Sequence, residues 1–207
     1  MSRPQNFKKE DFVNAALRII DAEGLDALSF RRLGTDMGVS YTAVYTYFDS
    51  KDALVTAVMG QIIDEMLGEV DFSSSTSPHE KLMKIGLSLR RILSQRPLRV
   101  TAFLSTATGP DGEADNGLLA VAAIMEEAGI PRDQLIRTYR VYESYVMGAT
   151  AFDFSAAPEH ISSRRKRYRD SRHPAFIDVA KSEKSIYVHN EESFSYGLDR
   201  LLRGLGI

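Results

Sequence analysis

Residues 28–54 read LSFRRLGTDMGVSYTAVYTYFDSKDAL, and this stretch decides the fold. Ser29 stands where an N-cap belongs, ahead of a helix expected over 30–37. Leu28 and Leu33 have the spacing of a hydrophobic staple across that cap. Gly38 can take the left-handed conformation that ends the helix. Ser40 then caps a second helix, expected over 41–48. Two helices around a short Gly-containing turn form a helix-turn-helix, whose second helix fits the major groove of DNA.

On the N-terminal side, residues 9–23 read as an amphipathic helix. Phe12, Ala15, Ala16, Ile19 and Ile20 fall on one face. On the C-terminal side a fourth helix is expected from Asp49, with Asp52 three residues on in a capping-box-like arrangement. Leu54, Val55, Val58, Met59, Ile62 and Met66 form its apolar stripe, reaching to about Val70. This block is similar to the DNA-binding domain of the TetR family of transcriptional regulators. The matching residues are Gly24 and Leu25, Ser29, Leu33, Met37-Gly38-Val39-Ser40, Ala43-Val44-Tyr45, Tyr47-Phe48 and Ser50-Lys51-Asp52-Ala53-Leu54. They cover about a quarter of the chain, in the family's order and spacing. Gly34 stands where the family usually has Ala, which lowers helix propensity by roughly 1 kcal/mol but keeps the site small. Tyr47 stands where His is common.

The resemblance implies an all-α protein. Residues 1–51 would be a three-helix DNA-binding headpiece, and 52–207 a helical domain for effector binding and dimerisation. Tyr41 and Thr42 lie at the end of the second helix that reaches base edges. Tyr45 and Tyr47 are offset from the inward pair Val44 and Phe48, so both are expected exposed and in contact with phosphate or base. Ser29 and Ser40 cap helix N-termini that can hold phosphate. Arg3, Arg31, Arg32 and Lys51 are expected at the edges of the DNA face, with Lys51 on a phosphate.

Composition limits the alternatives. The chain has 207 residues and is 43% hydrophobic, enough for one or two domains with a proper core. No apolar run approaches the roughly 18 residues needed to span a bilayer. The start, MSRPQNFKKEDF, lacks the apolar core of a secretory signal, so a cytoplasmic location is expected. Zero Cys excludes disulfides, thiolate zinc sites and cysteine nucleophiles. The net charge of −2 is not that of a global nucleic-acid binder, but residues 40–48 contain no acid. His79, His160, His173 and His189 lack metal-ligand spacing. No GxSxG, Walker or dinucleotide fingerprint occurs. Adjacent Glu126-Glu127 and Glu191-Glu192 point in different directions on their helices. No catalytic residue, metal or cofactor is expected.

Beyond a linker at 71–78, DFSSSTSP, the pattern is helical. Helices are expected over 79–95, 97–106, 118–128, 130–154, 176–181 and 190–205. A loop, GPDGEADNG, lies at 109–117, and a polar loop at 155–173. The latter carries the basic run Arg164-Arg165-Lys166-Arg167-Tyr168-Arg169, read either as a solvated loop or as a second site for an acidic partner. The second half of 130–154 is apolar nearly all round, so one side needs a partner. Tyr139 and Val146 there, with Phe194, Leu198, Leu201 and Leu205 on the last helix, are expected to close a homodimer through a four-helix interface.

An effector pocket is expected among Ile62, Met66, Leu89, Leu93, Phe103, Met125, Tyr142 and Tyr145. Glu143 interrupts an apolar region, so it either pairs within the chain or anchors a ligand. The family resemblance implies a repressor on a near-palindromic double-stranded operator, released by a small molecule. An effector-free DNA-binding dimer with a solidly packed core is the alternative.

Overall fold

A computed structural model describes residues 7–73, 75–105, 115–154, 159–181 and 186–207. Among them every regular element is helical. In chain order they are α1 (Lys9–Glu23), a 3-10 turn (Leu25–Ala27), α2 (Phe30–Met37), α3 (Tyr41–Val44) and α4 (Lys51–Leu67). Then follow α5 (Pro78–Gln95), α6 (Pro97–Ser105), α7 (Asp115–Glu127), α8 (Arg132–Phe154), α9 (Glu159–Arg169), α10 (Pro174–Lys181) and α11 (Ile186–Gly204). Among the described residues no helix is long and apolar enough to cross a membrane.

The chain forms two compact units, residues 1–68 with 98–120, and 69–97 with 121–207. In the first, α1 packs on α2 and α4. Phe12, Ala15, Ala16, Ile19 and Ile20 meet the buried Leu28, Leu33, Val44, Phe48, Leu54, Val58 and Ile62. The amphipathic reading of residues 9–23 is therefore the observed core face. Arg99 at the start of α6 grips Asp21 of α1 with both arms of its guanidinium, at 2.6 and 2.8 Å. The division expected at Lys51 does not coincide with these units, because α4 packs with α1.

In the second unit α5, α8 and α11 pack on one another. Leu82, Ile85, Leu89 and Ile92 meet Tyr142, Val146, Phe194, Leu198 and Leu202 in a buried core. Gly86 permits the close approach: a Cβ there would lie 2.7 Å from Leu198 Cδ2 and 3.3 Å from Val146 Cγ2. The expected dimer seam is corrected here. Val146, Phe194 and Leu198 are buried inside one chain. An apolar seam at helical spacing marks burial, and it carries no label for which chain covers it. Leu201, Leu205 and Tyr139 are half-buried.

A second correction concerns residues 155–173. Where a polar loop is expected, residues 159–169 form α9. Its sequence, EHISSRRKRYR, has almost no apolar stripe, so the helical period is invisible in hydrophobicity. The helix is held instead by Arg164, which reaches Asp153 and Asn190, and by Tyr168, stacked on Phe176 of α10. Residues 115–117, expected in a loop, open α7. The rest of that loop lies outside the described residues.

Candidate nucleic-acid interface

The α2–α3 pair is built by short-range devices. Ser29 Oγ accepts from Arg32 N at 3.1 Å, and Ser40 Oγ accepts from Ala43 N at 3.3 Å. Gly38 sits at φ 69°, ψ 28°, the left-handed conformation that L-residues adopt only at a cost. Its N–H and that of Val39 turn back onto Thr35 and Gly34 carbonyls. At Gly34 a Cβ would lie 2.9 Å from Val39 O and 3.3 Å from Tyr41 Cα. The missing methyl lets the start of α3 sit directly on α2.

α3 is shorter than expected. Regular helix ends at Val44, and tight turns carry the chain on, with Tyr47 N and Phe48 N both bonded to Val44 O. The run Val-Tyr-Thr-Tyr-Phe is poor helix-forming sequence, and this path keeps Phe48 buried beside Val44. The cap of α4 is Ser50, not Asp49: Ser50 Oγ accepts from Ala53 N at 3.0 Å.

The outward side of this motif carries Tyr41, 52% exposed, Tyr45, 54% exposed, and Thr42. Thr42 Oγ1 lies 2.8 Å from Ser40 Oγ. Tyr45 is steadied by an edge contact to the Phe30 ring, centroids 4.7 Å apart. Tyr47 differs from its expected exposure. Its ring lies 4.5 Å from that of Phe12, and its hydroxyl donates to Phe7 O at 2.8 Å. It thus ties the chain just before α1 to the end of the motif. Sequence reading missed this tie because the pairing spans 40 residues.

The cations divide into two groups. Arg31 is exposed and makes no ion pair with a described residue. Lys51 is exposed, but its ammonium already donates to Leu25 O at 3.2 Å, leaving further donors for a phosphate. Arg32 pairs with Glu23 at 2.7 Å and with Asp36 at 3.6 Å. Its hydrogen bond to Glu23 pushes its pKa further up. Those carboxylates offset the charge it was expected to bring to the DNA edge. Arg3 lies outside the described residues.

The expected pocket residues fall as follows. Ile62 and Met66 are buried in α4, within the first unit. Leu89, Leu93, Met125 and Tyr142 are buried in the second. The Tyr142 hydroxyl donates to Leu82 O at 2.8 Å, and burial drives its pKa far up. The half-buried Tyr145 donates to Phe194 O at 3.0 Å, and burial raises its pKa too. Glu143 accepts from Tyr139 Oη at 3.0 Å, one turn back on α8, which is the intrachain pair of the two readings. The Phe103 side chain lies outside those described.

Comparison with known proteins agrees with this geometry. Residues 12–58 match the model of bacterial regulatory proteins, tetR family. An HTH-type transcriptional repressor of Mycobacterium tuberculosis is 24% identical over 212 residues, covering 95% of this chain and 79% of that protein. The transcriptional regulator SCO7222, a TetR from Streptomyces coelicolor, superposes with a TM-score of 0.80 at 19% identity, covering 97% of this chain and 98% of that one. The TetR family protein ActR of Streptomyces coelicolor, solved in complex with actinorhodin, gives 0.71 at 20% identity, with 96% of each chain covered. A capped helix-turn-helix with an acid-free outward face, matched by the family model, by relatives and by fold, makes residues 12–58 a DNA-binding region of the tetR type, the kind carried by bacterial transcriptional regulators.

Proposed function

We propose that the chain is a homodimeric repressor of a near-palindromic operator, released by a small molecule. The observation that carries the DNA half is the outward face of Tyr41, Thr42 and Tyr45, free of acids from 40 to 48 and fixed by the turn at Gly38. Thr42 and Tyr41 read base edges, whereas Tyr45, Arg31, Lys51 and the capped N-termini at Ser29 and Ser40 hold phosphates. Tyr47 acts by fixing the backbone at Phe7, just before α1.

A functional division after residue 51 accompanies this reading, with 52–207 serving effector binding and dimerisation. For the dimer we take the outward sides of α8 and α11. Val141 and Tyr196 are exposed there at 44% and 66%, with Leu201 and Leu205 half-buried nearby in sequence. The ActR complex with actinorhodin supports effector control by analogy. The effector would shift the population between two arrangements of the ligand-binding domain, and only differential affinity for them can do so. Within the second unit the apolar residues Leu89, Leu93 and Met125 supply candidate lining.

Selection of bound DNA from a random pool tests the reading, and a near-palindromic consensus is expected. The Tyr45→Ala/Lys51→Ala variant should then lose affinity about equally for all sequences, with the salt slope reduced by about 1 for the lost lysine contact. Equal affinity of variant and parent for the selected site, at the same salt, would overturn the assignment.

A further inference from the structure

The operator reading above does not use the basic run at 164–169, and the helix α9 brings part of that run to one site. The last turn of α8 and α9 border an open concavity of about 180 Å³ lined by Phe152, Ser163, Arg164, Arg167 and Tyr168. We propose that it binds a small aromatic anion, a single ring bearing a carboxylate, as a site separate from the effector pocket proposed above.

The walls are fixed before any ligand arrives. Arg164 Nη1 donates to Asp153 Oδ1 at 2.6 Å and to Asn190 Oδ1 at 2.9 Å, and Nη2 donates to Phe152 O at 3.2 Å. Its guanidinium lies 4.4 Å from the Phe152 ring centroid. Phe152 remains 61% exposed, so its ring is open to a guest. Tyr168 is backed by Phe176, with centroids 5.4 Å apart and planes at 22°. Two aromatic side chains of the lining are thus held by ring contacts, which suits an aromatic guest.

Charge selects an anion. Arg164 already has a carboxylate partner in Asp153. Arg167 is exposed and makes no ion pair or hydrogen bond with a described residue. Its planar fork matches a carboxylate with two parallel hydrogen bonds. The Ser163 hydroxyl adds a further donor. Size selects one ring, because drug-sized ligands fill roughly 300–1,000 Å³. Arg164 also ties the site to the core of its unit, since its partner Asp153 accepts from the fully buried Arg90 at 2.7 Å.

Calorimetric titration of the full chain with benzoate, benzamide and cyclohexanecarboxylate tests the proposal. Benzoate should bind saturably at millimolar concentration, at least tenfold tighter than the other two. Arg167→Gln should weaken benzoate at least tenfold without changing the melting temperature, and Phe152→Leu should weaken it severalfold. Arg169→Gln, two residues on and beside Asp170, should leave it unchanged. The proposal fails if benzoate does not bind saturably, if Arg167→Gln binds it like the parent, or if Arg169→Gln loses as much. None of these outcomes bears on the operator reading, which is scored on DNA.

Discussion

The helix-turn-helix and the α5–α8–α9–α11 assembly solve the same problem with different chemistry. Between Ser29 and Ser50 the caps and the turn reach only three to five residues along the chain: serine caps at Arg32, Ala43 and Ala53, and a glycine turn. In the assembly the fixed points are far apart in sequence. Arg90, with no exposed side-chain surface, donates to Asp153 across 63 residues and to Glu191 across 101. Its guanidinium also stacks over Phe194 at 4.5 Å. Local devices set backbone direction and leave the outer face free for DNA. Long-range ion pairs fix the relative position of helices but demand full compensation, because a buried charge is tolerated only with its partners.

The sharpest way to break the comparison is to put a charge on each side of the α11 seam. Leu198→Glu buries an unpaired carboxylate against Gly86 and Val146, and should leave little folded protein. Val141→Glu with Tyr196→Glu alters exposed positions, so it should fold with parent-like circular dichroism and sediment as a monomer. A folded dimer from the second variant would remove the proposed face.

Asp153→Asn comes next. It strips the shared carboxylate from both Arg90 and Arg164. Removing one partner of a buried pair costs about 3–5 kcal/mol. Denaturant unfolding should register most of that loss. A change within about 0.5 kcal/mol would mean the network is not what holds these helices together.

These two regions also differ in how far they can be read without coordinates. The caps at Ser29 and Ser40 and the turn at Gly38 are legible because a side chain and the backbone it bonds are near neighbours. The limits of that reading are local too: the helix expected from Asp49 is capped one residue on, by Ser50. Tyr47 was misplaced because its partners, Phe7 and Phe12, lie far away in sequence. α9 escaped because its anchors are charges on other helices, and hydrophobic period cannot report them. The seam of Val146, Phe194 and Leu198 was correctly read as buried but given to the wrong neighbour. Gly86, the residue that admits Leu198, looks like an ordinary helix glycine until the helices are side by side.

Gly34→Ala probes the local region at smaller magnitude. Alanine gains about 1 kcal/mol in helix propensity. The new methyl would meet backbone at Val39 O and Tyr41, which cannot rotate away. Such overpacking costs about 1–3 kcal/mol and is relieved only by moving the start of α3. A net loss of about 1 kcal/mol is expected, with a larger proportional loss in operator affinity because Tyr41 and Thr42 move. A stabilised variant with unchanged DNA affinity would show that the turn absorbs the methyl freely.

The smallest expected effect is local and pH-dependent, and it lies in the second unit, around Asp71. The Asp71 carboxylate accepts from Ser73 N, Ser73 Oγ and Thr76 Oγ1, each at 2.9 Å. The backbone hydrogen bond from Ser73, followed by those of the two hydroxyls, holds its pKa below the ordinary 3.8. A carboxyl depressed in the folded state contributes stability that is complete above the unfolded value, and that contribution is lost as pH falls through the folded one. Asp71 is solvent-exposed, so the effect is confined to the turn. In a carboxyl-carbon NMR titration Asp71 should titrate below a free aspartate, and Ser73→Ala should move it back up. Acid should loosen the turn in the parent, whereas in Asp71→Asn the turn should be weaker at neutral pH and no longer respond to acid. An Asp71 midpoint at the free value in the parent would show that this turn is not held by its carboxylate, and the contrast between short-range caps and long-range pairs would then stop at Ser50.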